Sequence, residues 1–181
     1  MPGRNRLSVQ DDHGARWVTV IDVLDGRLIE LFTAEPRIGV LEASRRLGVA
    51  RGTVQARLDR LTRQGVIRGF GPEIDPAALG YAVTAFVTLQ IRQVGGHDPV
   101  AERLAAVPEV LEAHTITGTG DLFLRVVARS NQDLQRVIDM IVEVRGVERA
   151  SSVIALATPI PTRTLPLVRA TAALSRTEPA P

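Results

Sequence analysis

The chain has no cysteine, and all 22 of its basic residues are arginine, because lysine is absent too. Without cysteine there can be no disulfide, thiol nucleophile or thiolate metal site. Without lysine there is neither a Schiff-base amine for pyridoxal chemistry nor the lysine of a phosphate-cradling P-loop. No apolar run approaches the ~18–20 residues that a bilayer span needs. Residues 1–14 are polar and contain no apolar signal core, so a cytoplasmic protein with no membrane partner is expected. Its three histidines, His13, His97 and His114, stand far apart and none has a metal-binding spacing. The Gly118-Thr119-Gly120-Asp121 run lacks the strand–helix context of a dinucleotide site, and no serine has a local histidine partner. No enzyme, metal or cofactor is expected.

What is present is an uneven charge distribution. A length of 181 residues, 45% of them hydrophobic, suits one large domain or two small ones with a real core. The net charge is only +2, yet Arg37 to Phe70 holds eight arginines against Glu42 and Asp59. The segments on either side are each net −2. A short basic segment joined to a mildly acidic remainder is the electrostatic footprint of a nucleic-acid reader attached to a second module. A solvated, arginine-rich face accounts for the charge equally well.

Local patterning sharpens the first reading. Val23, Leu24, Leu28, Leu31 and Phe32 recur at helical spacing behind Asp22, a capping residue, with Asp25 at the third helical position and Pro36 beyond the end. A second helix is predicted over 40–47 and is followed by Gly48, whose freedom to take positive φ suits a tight interhelical turn. A third helix over 51–64 ends at Gly65. Two helices joined by a glycine turn, with another before them, describe a helix-turn-helix. In the third helix Val54, Leu58 and Leu61 form the buried stripe. The opposite side presents Gly52, Ala56 and Arg63, flanked by Thr53, Gln55, Asp59 and Arg60. Small residues there allow close approach to base edges, and Gln or Arg can bond bases in bidentate fashion. Arg51, at the helix start, is placed to meet phosphate, and Arg57 or Arg60 is a further candidate for such a contact. Ala50 stands where a capping Ser or Thr would be expected. Val66 to Phe70 reads as a short wing strand, with Arg68 placed for phosphate or simply solvated.

Farther on, Val83, Ala85, Val87, Leu89 and Ile91 alternate as one face of a strand. Asp98-Pro99 opens a helix ending before Pro108. Strands over 110–117 and 122–128 flank the Gly118–Asp121 turn. Ser130 and Asp133 cap a helix bearing Leu134, Val137, Ile138 and Ile141, and a last strand follows Gly146. The order βαββαβ is the ferredoxin-like split βαβ, with both helices on one face of an antiparallel sheet. The other face needs a cover, and a second copy of the chain is the economical one. The first twenty residues read as a loose arm. Pro159, Pro161 and Pro166 break any long element in the tail.

In order and spacing these pieces resemble the leucine-responsive regulator / asparagine-operon regulator (Lrp/AsnC) transcription factors. The resemblance is carried by Ile21-Asp22-Val23-Leu24-Asp25, Arg37-Ile38, Gly48-Val49, Thr53-Val54 and Arg57-Leu58. It continues through Leu61-Thr62-Arg63-Gln64-Gly65-Val66-Ile67-Arg68-Gly69-Phe70, Pro108-Glu109-Val110, the Thr117-Gly118-x-x-Asp121 turn and Gly146-Val147. Ala43-Ser44, Ala50, Gly120 and Leu122 depart from the family's usual residues. The resemblance implies an α+β protein with a winged helix-turn-helix over 21–76 and a ferredoxin-like, RAM-type domain over 77–158. An arm (1–20) and a proline-containing tail (159–181) flank them. It implies a regulator that reads double-stranded DNA through Arg51, Gly52, Thr53, Gln55, Ala56, Arg57, Arg60, Arg63 and Arg68. It further implies dimers that assemble into tetramers or octamers, and a small effector, an amino acid, held at Thr117, Gly118, Thr119, Gly120, Asp121 and Leu122. Turn amides could hold a carboxylate and Asp121 an ammonium group. From the residues alone a plain tight turn is the better reading of this stretch, and it is the resemblance that favours an effector site. Two other functions fit parts of the pattern: an architectural DNA-wrapping protein, and an amino-acid sensor with weak DNA binding.

Overall fold

The computed structural model describes residues 6–9, 16–19, 21–92 and 98–175. Two compact units emerge. One contains the chain up to Pro72 together with the segment from Pro161 onward, and the other is Glu73–Ile160.

The first unit opens with a surprise. Within the stretch expected to be a loose arm, β1 (Arg6–Val9) pairs antiparallel with β2 (Arg16–Thr19), Arg6 lying opposite Thr19 and Val9 opposite Arg16. Both four-residue runs contain β-favouring types, and pairing two extended pieces satisfies backbone groups that a lone strand leaves to water. The three helices follow as read: α1 (Val23–Ala34), α2 (Val40–Leu47) and α3 (Arg51–Arg63). Gly48, at φ +69°, closes α2 and turns the chain toward α3. Leu28, Ala43, Val54, Leu58 and Leu61 make the core, flanked by Ile29, Phe32, Ile38, Leu47 and Ile67. The expected wing strand does not form, and residues 66–75 hold no regular element. Gly69, Gly71 and Pro72 explain this, since glycine weakens a strand and proline removes a ladder donor. Phe70 instead sets its ring edge-on to Phe32, centroids 5.8 Å apart.

The proline-containing tail is also more ordered than its composition suggests. Leu165–Leu174 forms α6, with Pro166 in the first turn, where its missing N–H would have had no partner. It packs on α1: Ala172 is buried, Val168 joins the same core, and Arg169 pairs with Glu30 at 2.6 Å. Gly26 in α1 makes this approach possible, because a Cβ there would sit 2.9 Å from the Cβ of Ala172.

One polar cluster ties α3 to α1. Asp22 and Asp25 form a reciprocal capping box, the Asp25 amide donating to Asp22 Oδ1 (2.8 Å) and the Asp22 amide to Asp25 Oδ2 (3.0 Å). Asp25 is fully buried. Its carboxylate also accepts from Arg57 Nη1 (2.8 Å) and from Arg60 Nη2 (2.5 Å), while Arg57 Nη1 reaches Asp22 Oδ2 at 2.6 Å. Burial raises the Asp22 carboxyl, but the Arg57 guanidinium and the cap amides outweigh it and hold the group below its ordinary value of 3.8. Asp22 therefore contributes its full share to stability above that pH. The share is lost only as the pH falls through the lower folded-state value.

In the second unit a 3₁₀ turn (Ala77–Leu79) precedes β3 (Val83–Ile91), α4 (Asp98–Leu104), β4 (Val110–Thr115), β5 (Leu122–Ala128), α5 (Asn131–Val142) and β6 (Val147–Ile154). The sheet runs β4-β5-β3-β6, antiparallel throughout, which is the expected ferredoxin-like arrangement. Ala85, Val87, Leu89 and Ile91 meet Leu122, Leu124 and Val126, under Val100 and Leu104 of α4 and Leu134, Val137 and Ile141 of α5. Ser130 caps α5 through the Asp133 amide. No described helix is long and apolar enough to cross a membrane.

Two stability predictions follow from the first unit. Replacing a helical Gly by Ala ordinarily gains about 1 kcal/mol. Gly26→Ala should instead lower the melting temperature, and in an Ala172→Gly background it should raise it. Removing both guanidiniums (Arg57→Met with Arg60→Met) strands a buried carboxylate and should cost about 3–5 kcal/mol in urea unfolding. Adding Asp25→Asn to that pair should restore part of the loss.

Candidate nucleic-acid interface and effector turn

The geometry of α3 separates its arginines into two groups. A helix advances about 100° per residue, so Arg57 lies only about 40° from Leu61 and borders the buried stripe. It is 26% exposed and, with Arg60, is spent on Asp22 and Asp25. These two residues, expected to meet DNA, are ion-paired within the unit, Arg57 half-buried and the Arg60 side chain 37% exposed. Arg46 pairs with Glu35 and Glu42, and Arg45 with Glu42. Of the eight arginines in the basic segment, four have no carboxylate partner among the described residues: Arg37, Arg51, Arg63 and Arg68.

Of these four, Arg51, Arg63 and Arg68, with the outer face of α3, make up the candidate interface. Arg51, Gly52, Gln55, Ala56 and Arg63 are exposed, Thr53 is half-buried, and Arg68 is exposed just beyond the helix. Ala50 caps α3 without a side-chain bond, so the first amides of the helix are left to solvent or to an anion. Gln55 Nε2 donates to Asp59 Oδ1 at 2.9 Å, and Arg63 Nε to the Asp59 carbonyl at 3.3 Å. These i,i+4 contacts hold the two long side chains over the outer face. That face offers cationic forks, an amide and small residues, a combination suited to groove and phosphate contact.

The turn between β4 and β5 is built differently from the expectation. Gly118, at φ +115°, sits at its apex, and Thr117, Gly118 and Thr119 are exposed. Gly120 is buried, and a Cβ there would collide with the Thr88 methyl and approach the Leu89 carbonyl. The Asp121 amide donates to the Leu89 carbonyl (2.8 Å), and Asp121 Oδ2 accepts the Ile91 amide (2.8 Å). Asp121 thus lengthens the β3–β5 ladder through both its backbone and its side chain. Gln90 Nε2 fastens the Thr119 carbonyl at 3.0 Å. Leu122 is corrected: its side chain lies in the hydrophobic core and cannot line a ligand site within this chain. His114 is 60% exposed and stands 3.6 Å from Glu112, which also bonds Arg125.

Two functional features escaped the sequence reading. The clustering of Asp22 and Asp25 with Arg57 and Arg60 spans more than 30 positions, and its only local trace is the place of Arg57 beside the apolar stripe. The packing of α6 on α1 left no trace beyond Gly26 inside a helix.

Comparison with known proteins matches this geometry. The model of the winged helix-turn-helix DNA-binding domain matches residues 21–68, and that of the Lrp/AsnC ligand binding domain matches residues 84–165. The chain is 30% identical over 148 residues to the HTH-type transcriptional regulator FL11 of Pyrococcus furiosus, covering 82% of this chain and 97% of that protein. Among solved structures, AsnC of E. coli superposes with a TM-score of 0.74 at 28% identity, over 81% of this chain and 99% of AsnC. A feast or famine regulatory protein of M. tuberculosis, complexed with L-methionine, superposes at 0.70 with 29% identity, over 79% and 97%. With both domain types present in the right order and the relatives matched almost end to end, the chain belongs to the Lrp/AsnC family of DNA-binding transcriptional regulators.

Proposed function

We propose that the protein is a sequence-specific DNA-binding regulator that works as an oligomer and whose DNA affinity is set by a small effector, an amino acid. The observation that carries the DNA reading is the sorting of the arginines. Arg57 and Arg60 are sequestered, while Arg51, Arg63 and Arg68 stand clear beside Thr53 and Gln55. Arg51, Arg63 and Arg68 anchor phosphate, Gly52 and Ala56 let the helix approach the groove, and Thr53 and Gln55 read bases. Gln55 would exchange its bond to Asp59 for a base edge.

Oligomerisation is supported by the uncovered sheet face. Phe86 and Phe123 stack there with centroids 5.5 Å apart, and Val153 is 62% exposed. A second copy laid on this face would bury the apolar surface and would place two recognition helices in successive grooves, about 10 bp apart or multiples of that. The effector reading is supported by the exposed Thr117–Thr119 stretch, whose amides can hold a carboxylate, and by the structural relative complexed with L-methionine. Asp121 already gives one carboxylate oxygen to Ile91, so only its other oxygen is left for an ammonium group. Effector binding would alter how dimers pack and thereby change DNA affinity, with a coupling of roughly 1–3 kcal/mol.

Gel-shift titration against the upstream region of its own gene, at two salt concentrations, tests the DNA reading. Arg51→Ala and Arg63→Ala should each weaken binding and lower the slope of log affinity against log salt by about one. Gln55→Ala should change the ranking of operator variants; an unchanged ranking removes Gln55 from base reading. The effector reading is checked by repeating the titration with a panel of amino acids. At least one should shift affinity by about fivefold or more, and Gly118→Val should abolish the shift without unfolding the protein.

A further inference from the structure

The second unit carries a cleft of about 510 Å³ lined by Arg92, Arg103, Arg145, Glu148 and the apolar surfaces of Pro99, Val100 and Val147. That volume falls within the range of about 300–1,000 Å³ typical of small-molecule sites. Its residues are separate from the β4–β5 turn and from the face of α3.

Backbone contacts bring together the segments that carry the three arginines. Gly146, at φ +108°, lets the turn before β6 press against α4, where a Cβ would come within 2.9 Å of a Val100 methyl. The Arg92 amide donates to the Gly146 carbonyl at 2.8 Å, and Arg103 Nη1 to the Arg145 carbonyl at 2.9 Å. Arg92 shares its charge with Glu148, Nε to Oε1 at 3.0 Å. Neither Arg103 nor Arg145 has a carboxylate partner among the described residues, and the Arg145 guanidinium makes no bond there. Among the described lining residues, three cations stand against one anion. Arginines that line one cleft in excess of carboxylate favour a bound anion. A phosphomonoester matches the excess, since it carries close to two negative charges at neutral pH and offers three acceptor oxygens to guanidinium forks. A phosphodiester of DNA carries one charge and lies along a convex backbone, so a concave cleft suits it less well.

We propose that this cleft binds a small organic phosphomonoester. Arg103 and Arg145 grip the phosphate, Arg92 closes the rim, and the carbon skeleton rests on Pro99 and Val147.

Isothermal titration of the full chain with glycerol 3-phosphate at low ionic strength tests the site. The expected result is saturable binding at one site per chain. Arg103→Gln and Arg145→Gln should each weaken it by about tenfold or more, while Arg163→Gln, outside the cleft, leaves it unchanged. Inorganic phosphate should bind more weakly, because it cannot use the apolar wall. Circular dichroism checks folding. Should Arg103→Gln fail to fold, because its bond to the Arg145 carbonyl is lost, Arg145→Gln decides, since that side chain holds no described bond. Absence of saturable binding, or binding unaffected by the arginine variants, overturns the proposal. So does loss of duplex DNA affinity in those variants without any phosphomonoester binding, which would make the cleft a DNA contact.

Discussion

A buried carboxylate organises the DNA-reading unit. Asp25 is wholly shielded from water at the start of α1, and a charge in that position is tolerable only if donors surround it. The Asp22 amide, Arg57 and Arg60 supply them. Because both arginines come from α3, the demand of one side chain on α1 fixes the rotation of the recognition helix. Val54, Leu58 and Leu61 then face inward, and the small and polar residues face out. Bidentate closure of the Arg60 guanidinium on both Asp25 oxygens adds directional specificity to the apolar packing.

That arrangement has an electrostatic consequence. A segment that is net +6 by composition exposes far fewer unpaired cations than the count implies, since four of its arginines are tied to Asp22, Asp25, Glu35 and Glu42. Of the remaining four, Arg51 and Arg63 lie on α3 and Arg68 follows it. A reader with every arginine free would hold any duplex tightly, and the contribution of base edges would be a small part of the total.

The second unit solves a different problem. One face of its sheet is closed by α4 and α5, while the other carries stacked phenylalanines and a strongly exposed valine. At one end of the sheet, Asp121 and Gln90 stiffen the turn that follows β4, and Gly146 draws α4 onto the turn before β6. Both turns are therefore anchored to the end of β3, the first through the Ile91 amide and the second through Arg92. The two turns thus share one strand end as their anchor.

Much of this was legible in the residues. Helical spacing around Leu28 and Leu58, the glycine at position 48, the alternation from Val83 to Ile91 and the Ser130 cap each report a local rule of backbone geometry, and local rules act over a few residues. The order of elements then selected the architecture, and the spacing of the motifs pointed to the family. What the tertiary structure decided concerns pairs far apart in the chain: Asp25 with Arg60, Gly26 with Ala172, Asp121 with Ile91, Arg103 with Arg145. Amphipathic spacing marks arginines such as Arg57 and Arg60 as polar without saying which will meet a buried acid. Proline content says that a tail will not be one long helix, yet not that ten residues of it can cover α1. The difference lies in range, because patterns record how a residue sits on its own element, whereas partnership depends on which other element the folded chain brings within about 3 Å of it.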